Sequence, residues 1–308
     1  YDIENGEREK VIEEDWDISY AYFSKKGKYR VVGINQDAKT IVKILDTSTD
    51  QDVAFPDITN GDISSVRISR SEDKMIFSAG SSKSTNNLYL YDFGTKEHKQ
   101  LTKTLNIEIN PDDLVEAEIV RYESFDNLQI PAIYYKPKSA TKENKVPALV
   151  WVHGGPGGQS RVGYRALIQY LVNHGYAILA VNNRGSSGYG KTFYSLDDQN
   201  HGEGDLQDCV WGKKWLQEQA YIDPDKIGII GGSYGGFMTM AAMTFEPEEF
   251  KVGVNIYGVT NWIRTLRSIP AFWETSRKRL YKEMGDPYTN DSLRLYDISP
   301  LFHAKNIK

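Results

Sequence analysis

The sequence predicts an α/β fold with a doubly wound, mostly parallel sheet, preceded by blades of a β-propeller. Three observations predict it: a repeat near the N-terminus, an alternation of apolar strands and helices after residue 146, and a glycine-rich turn between one such strand and its helix. The 308 residues suffice for about two domains. We expect propeller blades in residues 1–110 and the α/β domain in residues 111–308, incomplete at its C-terminal end.

The composition is that of an ordinary globular protein and excludes several classes. A net charge of −5 argues against a non-specific nucleic-acid binder, which needs a cationic surface. No apolar run approaches the length that crosses a bilayer, and the single cysteine, Cys209, excludes an internal disulfide. No metal cluster or cofactor loop appears, so neither is expected. The compartment, cytoplasmic or exported, and the choice between a monomer and a homo-oligomer stay open.

The first half repeats itself. Residues 23–32 (FSKKGKYRVV) align with residues 68–77 (ISRSEDKMIF), 45 residues later, and each copy runs on to an apolar pair and an aspartate. A period in the 40s with about four strands per unit is typical of a propeller blade. Two copies cannot close a propeller. Either further blades precede residue 1 or this is a small open sheet; we favour the first, because an open stack exposes long strand edges.

A linker and a hairpin join the two halves. Residues 101–114 carry few large apolar side chains, and residues 117–125 and 128–136 are strand-like runs joined by Asp126 and Asn127.

After residue 146 the period changes to alternating strands and helices, which favours a parallel sheet covered on both faces. The predicted strands are 148–152, 177–182, 226–231 and 252–257, and the predicted helices are 164–173, 205–219 and 234–245.

The motif that carries chemistry lies at residues 231–236, which read GGSYGG between a predicted strand and a predicted helix. In this context G-x-S-x-G is typical of a sharp turn that holds a serine in strained backbone with its hydroxyl exposed. A plain glycine-rich turn is the alternative. The flanking strand and helix favour a nucleophile at Ser233.

A second glycine-rich loop supports this hypothesis. Residues 153–158 read HGGPGG and follow the strand 148–152, where hydrolases of this architecture place an oxyanion donor. We therefore expect the backbone N–H groups of Gly155 and Tyr234 to form an oxyanion hole. A phosphate loop would end in Gly-Lys-Ser/Thr, which this one does not.

The histidines before the serine are not predicted to be the base, because the expected chain order is serine, acid, histidine. His153 is predicted to shape its loop, and His98, His174 and His201 to be surface or structural residues.

Residues 184–190 (RGSSGYG), 223–228 (DPDKIG) and 231–236 (GGSYGG) resemble the prolyl oligopeptidase family of serine peptidases. The sequence HGGP at 153–156 is most similar to its acylaminoacyl-peptidase and dipeptidyl-peptidase branches. The resemblance covers nearly the whole chain and implies a β-propeller followed by an α/β-hydrolase domain, with Ser233 acylated.

The same resemblance implies further roles. Val259 and Trp262 would line the pocket for the residue that precedes the cut bond, with core packing as the alternative. Some relatives place a tyrosine hydroxyl in the oxyanion hole where this chain has His153, so that donor here comes from backbone or is absent.

The triad acid and histidine are expected after two further strands. Only His303 follows the serine, in a segment with no predicted strand before it. We therefore expect residues 1–308 to be an internal portion of a longer polypeptide, with the triad aspartate and histidine beyond Lys308, and this portion alone to be nearly inert.

The leading hypothesis is a serine peptidase that hydrolyses short peptides through an acyl-enzyme on Ser233, of aminopeptidase, dipeptidyl-peptidase or acylaminoacyl-peptidase type. A carboxylesterase or other acyl hydrolase would use the same nucleophile and oxyanion hole. A non-catalytic binding module that kept the fold is the third alternative.

Overall fold

The computed structural model describes residues 3–54, 58 and 62–308. The chain divides into two compact units. The first contains residues 1–79 and 87–103, and the second contains residues 80–86 and 104–308. Among the described residues, no helix combines the length and the apolar character that crossing a membrane requires.

The first unit is built from two four-stranded antiparallel sheets, each with its strands in chain order. The first sheet contains β1 (Asp17–Phe23), β2 (Tyr29–Gln36), β3 (Lys39–Asp46) and β4 (Gln51–Asp52). The second contains β5 (Asp62–Ile68), β6 (Lys74–Ser81), β7 (Ser84–Asp92) and β8 (His98–Gln100). Each sheet has the four strands that a propeller blade is expected to have.

The repeat also appears in the turns. Gly27, before β2, has φ 83°, and Glu72, at the equivalent position 45 residues later and before β6, has φ 64°. The left-handed backbone closes both turns, with the N–H of Gly27 donating to the carbonyl of Ser24 and that of Glu72 to Ser69. The Glu72 carboxylate accepts hydrogen bonds from the Ser24 hydroxyl (2.6 Å) and the Lys26 N–H (2.7 Å), which ties the two turns together.

The second unit contains a six-stranded mixed sheet. Its strands are β9 (Ala117–Glu123), β10 (Gln129–Tyr135), β11 (Val146–Val152), β12 (Ala177–Val181), β13 (Ile222–Gly232) and β14 (Gly253–Ile256). The order is β14-β13-β11-β12-β10-β9; the four strands β11 to β14 are parallel and the β9–β10 hairpin is antiparallel. The carboxyl ends of the parallel strands therefore meet at one edge, where chemistry gathers in such sheets.

Helices connect and flank these strands. They are α1 (Ala166–Asn173), α2 (Gly190–Tyr194), α3 (Gly204–Gln217), α4 (Tyr234–Phe245), α5 (Trp262–Arg267), α6 (Glu274–Met284) and α7 (Asp291–Asp297). Three short 3₁₀ segments accompany them, Pro111–Asp113, Ala271–Trp273 and Pro300–Asn306.

The predicted elements agree with the structure in type and order, and their ends differ. The strand predicted over 226–231 begins earlier, at Ile222, and the strand predicted over 252–257 is shortened to Gly253–Ile256. Its end has a local cause: Tyr257 has φ 45°, a left-handed conformation that a strand cannot continue through. The helix predicted over 234–245 has the observed bounds.

Candidate active site

Ser233 lies at the sharp turn between β13 and α4. Its backbone has φ 57° and ψ −118°, and its side chain is exposed. A positive φ at a non-glycine residue is strained and persists only where the surroundings impose it. Here the Ser233 N–H donates to the carbonyl of Ile256 (3.0 Å), and its own carbonyl accepts from the N–H of Phe237 (3.0 Å). The turn is therefore held at both ends.

The glycines of the turn are required by close packing. A Cβ added to Gly231 would lie 2.4 Å from the Gly235 carbonyl, and one added to Gly235 would lie 2.1 Å from the carbonyl oxygen of Val152. Both contacts are with backbone atoms, which cannot move away as a flexible side chain can. The motif spacing thus follows from the crossing of β13, α4 and the end of β11.

The loop after β11 lies against the serine. A Cβ added to Gly154 would be 3.4 Å from the Cβ and 3.9 Å from the Oγ of Ser233. Gly155 follows with φ 146°, in a turn so tight that its added Cβ would lie 2.4 Å from the Gly158 nitrogen. The structure therefore brings the two predicted glycine-rich motifs together.

Tyr234 is the first residue of α4. The first N–H groups of a helix have no partner within the helix, and the helix dipole adds partial positive charge there. An N–H of this kind, one residue after the nucleophile, suits a developing oxyanion. The Tyr234 side chain is buried, with its hydroxyl 2.5 Å from Asp205 Oδ2 and 3.1 Å from His201 Nδ1.

His153 is buried and both of its ring nitrogens are engaged. Nδ1 lies 2.8 Å from the Gly154 carbonyl oxygen and Nε2 lies 2.8 Å from the Ser186 hydroxyl. Burial lowers the pKa of the His153 imidazole. This ring anchors the loop to the segment after β12.

The other histidines of the second unit differ in position and burial. His303 stacks edge-on against Phe245 at a centroid distance of 5.3 Å, at the opposite end of α4 from Ser233. Twelve helical residues at about 1.5 Å each separate the two ends by roughly 18 Å. His174 is exposed at the end of α1, and His201 is fully buried beside Tyr234.

The two residues predicted to line a pocket differ in exposure. Trp262 is 5% exposed and packs against Phe237 and Tyr234, with ring centroids 5.1 and 6.1 Å apart. Val259 is half-buried at the edge of the same core.

Sequence reasoning missed the group formed by Asp197, His201 and Asp205. Their ligand-type atoms lie within 4.8 Å of one another, a spacing that could accept a metal ion. The Tyr234 hydroxyl already forms hydrogen bonds to two of the three side chains, so the group has a protein partner without an ion. Burial raises the pKa of Asp205 to about 6. The spacing of four residues between members was the available signal, but these residues lie mostly in turns, where spacing does not predict contact.

Known proteins are similar to this chain over the residues that contain Ser233. The prolyl oligopeptidase family model matches residues 162–308, which include the serine turn. This match confirms, over residues 162–308, the resemblance that the motifs predicted. A second model, acetyl xylan esterase, matches residues 91–210, which precede that turn.

One curated protein and two solved structures are similar to this chain. Dipeptidyl aminopeptidase BIII of Pseudoxanthomonas mexicana is 36% identical over 196 residues, covering 61% of this chain and 28% of that protein. The acylaminoacyl peptidase of Pyrococcus horikoshii is 27% identical with a TM-score of 0.76, covering 96% of this chain and 45% of that one. A puromycin-hydrolyzing peptidase of Mycobacterium tuberculosis has a TM-score of 0.81 at 21% identity, covering 93% and 44%.

These matches confirm the predicted fold class, an α/β-hydrolase domain preceded by propeller blades. The chain spans less than half the length of each of these three relatives.

Proposed function

We propose that the natural protein containing this chain is a serine peptidase that hydrolyses short peptides through an acyl-enzyme on Ser233. The observation that carries the proposal is the strained, exposed Ser233 at the start of α4, with the Gly154 backbone packed against it. The relatives are named as dipeptidyl and acylaminoacyl peptidases, which favours removal of one or two residues from a peptide end.

The residues have these proposed roles. Ser233 Oγ attacks the scissile carbonyl carbon while the N–H groups of Gly155 and Tyr234 donate to its oxygen. The C–N bond then breaks, the amine leaves with a proton, and the acyl group stays on Ser233. Water hydrolyses that ester, which releases the carboxylic acid and restores the hydroxyl. The proton that the leaving amine carries away is the one that the Ser233 hydroxyl gives up on attack.

The test is labelling of the natural full-length protein with a fluorophosphonate, beside its Ser233→Ala variant. We expect the wild-type protein to carry the label on Ser233, located by mass spectrometry, and the variant to carry none. Folded wild-type protein that stays unlabelled would exclude an activated serine and favour the binding-module alternative.

An esterase is the second candidate, and the acetyl xylan esterase match over residues 91–210 is the observation that favours it. The same nucleophile and oxyanion hole serve esters and amides. Matched substrates that differ only in the ester or amide bond separate the two. A peptidase cleaves the amides at rates comparable with those of the esters, whereas an esterase leaves the amides intact.

Val259 and Trp262 are proposed to line the pocket for the residue before the cut bond. The half-buried position of Val259 and the packing of Trp262 on the Tyr234 ring support this placement. We expect Val259→Ala to change the ratio of kcat/KM between substrates with large and small side chains at that position. An unchanged ratio would assign Val259 to core packing.

A further inference from the structure

One carboxylate links the start of α3 to the start of α4. Oδ1 of Asp205 accepts hydrogen bonds from the backbone N–H groups of Glu203 (3.0 Å) and Leu206 (2.8 Å). Oδ2 accepts the hydrogen bond of the Tyr234 hydroxyl, at 2.5 Å. Asp205 is fully buried, so these bonds are shielded from competition by water.

The tyrosine ring is held by several neighbours. Its hydroxyl lies 3.1 Å from Nδ1 of His201, whose ring meets it edge-on at a centroid distance of 5.6 Å. Phe237 and Trp262 pack on it at 5.2 and 6.1 Å. A side chain enclosed in this way has little rotational freedom, and the backbone that carries it has little freedom as well.

His201 is itself enclosed by acidic groups. Its Nδ1 lies 3.4 Å from Oδ2 of Asp197, and both residues are almost completely buried. Nδ1 of His201 thus lies close to both the Tyr234 hydroxyl and the Asp197 carboxylate.

This arrangement restrains the backbone at Tyr234. The Tyr234 N–H belongs to the peptide that joins it to Ser233, so its direction depends on how the tyrosine is held. Hydrogen bonds to an oxyanion require donors about 2.7–3.1 Å from its position, and a misplacement of about 1 Å can cost roughly 100-fold in rate.

We propose that Asp205 and His201 are positioning residues for acyl transfer: they hold the Tyr234 hydroxyl and so direct the Tyr234 N–H toward the oxyanion. The inference rests on the proposed function. Both side chains are fully buried, so their removal should affect the transition state more than substrate binding.

The experiment compares Tyr234→Phe with Tyr122→Phe in the natural full-length protein. Tyr122 is a matched control, because it is equally buried and donates its hydroxyl to the Asp208 carbonyl of α3 (2.7 Å), away from Ser233. With active sites counted by fluorophosphonate titration, we expect Tyr234→Phe to lower kcat about 10- to 100-fold with little change in KM. Tyr122→Phe should keep kcat within about twofold of wild type. Equal kcat values for the two variants would overturn the proposal.

A second pair of variants covers the case in which Tyr234→Phe does not fold. In Asp205→Asn the side-chain oxygen still accepts from the α3 N–H groups, and the amide donates to the tyrosine oxygen. Asp205→Ala removes both links. We expect Asp205→Asn to retain most of the wild-type kcat, and Asp205→Ala to have a kcat at least tenfold lower than that of Asp205→Asn. An equal loss of kcat in the two variants would overturn the proposal.

Wild-type labelling separates the two proposals. If the wild-type serine is not labelled, the proposed function and this inference fail together. If it is labelled and the variants turn over normally, only the positioning role fails.

Discussion

The imidazole of His153 and the hydroxyl of Ser186 meet at 2.8 Å, between Nε2 and Oγ. Nδ1 lies 2.8 Å from the Gly154 carbonyl oxygen, and the Ser186 hydroxyl also donates a hydrogen bond to the Asn183 carbonyl oxygen at 2.6 Å. The nearby Asn183 carbonyl accepts the Ser186 backbone N–H at 3.0 Å. This contact fastens the predicted oxyanion loop to the loop after β12.

Removing that hydroxyl is expected to loosen the oxyanion loop. Ser186→Ala leaves the buried His153 Nε2 without its hydrogen-bond partner, which costs about 1–3 kcal/mol of unfolding free energy. Chemical denaturation measures the change. The control is Ser187→Ala, because the Ser187 hydroxyl makes only a longer, half-buried bond of 3.2 Å to the Gly158 carbonyl. Equal losses in the two variants would contradict the anchoring role of His153.

The same histidine predicts a pH dependence of stability. Burial lowers the folded-state pKa of His153 below its ordinary value of 6.5. Below that pH the unfolded chain binds a proton that the folded chain does not, so the free energy of unfolding falls as pH decreases. We expect wild type to lose more stability than His153→Gln between pH 7.5 and 5, measured by denaturation at each pH. Parallel pH profiles would exclude this contribution.

Substitution of Gly235 is expected to be strongly destabilising. An added Cβ would lie 2.1 Å from the Val152 carbonyl oxygen, so Gly235→Ala must displace α4 or β11. We expect a loss of at least about 3 kcal/mol in unfolding free energy. Gly163→Ala is the control, because its Cβ would meet nothing within 4 Å and should change stability by no more than about 1 kcal/mol. A well-tolerated Gly235→Ala would show that the turn is looser than described.

Substitution of Arg184 is also expected to be destabilising, because it breaks a buried ion pair. Its guanidinium bonds to Asp208 (2.9 Å), which is fully buried, and to Asp126 (3.0 Å). Arg184→Met leaves the Asp208 carboxylate buried without its ion-pair partner, at a cost of about 3–5 kcal/mol. Lys278→Met, in an exposed pair with Glu274, is expected to cause no measurable change in thermal unfolding. Similar melting temperatures for the two variants would refute the prediction.

Local patterns were sufficient to predict the architecture and the turn that carries Ser233. The 45-residue repeat predicted two blades because each blade closes with its own residues, as the matching left-handed turns at Gly27 and Glu72 show. The bounds of α4 follow from local signals as well, because the glycines before it and the apolar run within it lie together in the chain.

Only the tertiary structure decided which polar residues are buried around that turn. On α3 the apolar residues Leu206 and Cys209 are buried, and the acidic residues Asp205 and Asp208 are buried beside them. A buried carboxylate is tolerated only with partners, and these partners, Tyr234 and Arg184, lie more than 20 residues away in the chain. Local spacing carries no information about such contacts, since they arise when α3 packs on the sheet and on α4. The sequence by itself therefore determined the fold class and the predicted nucleophile, and packing decided what holds them in place.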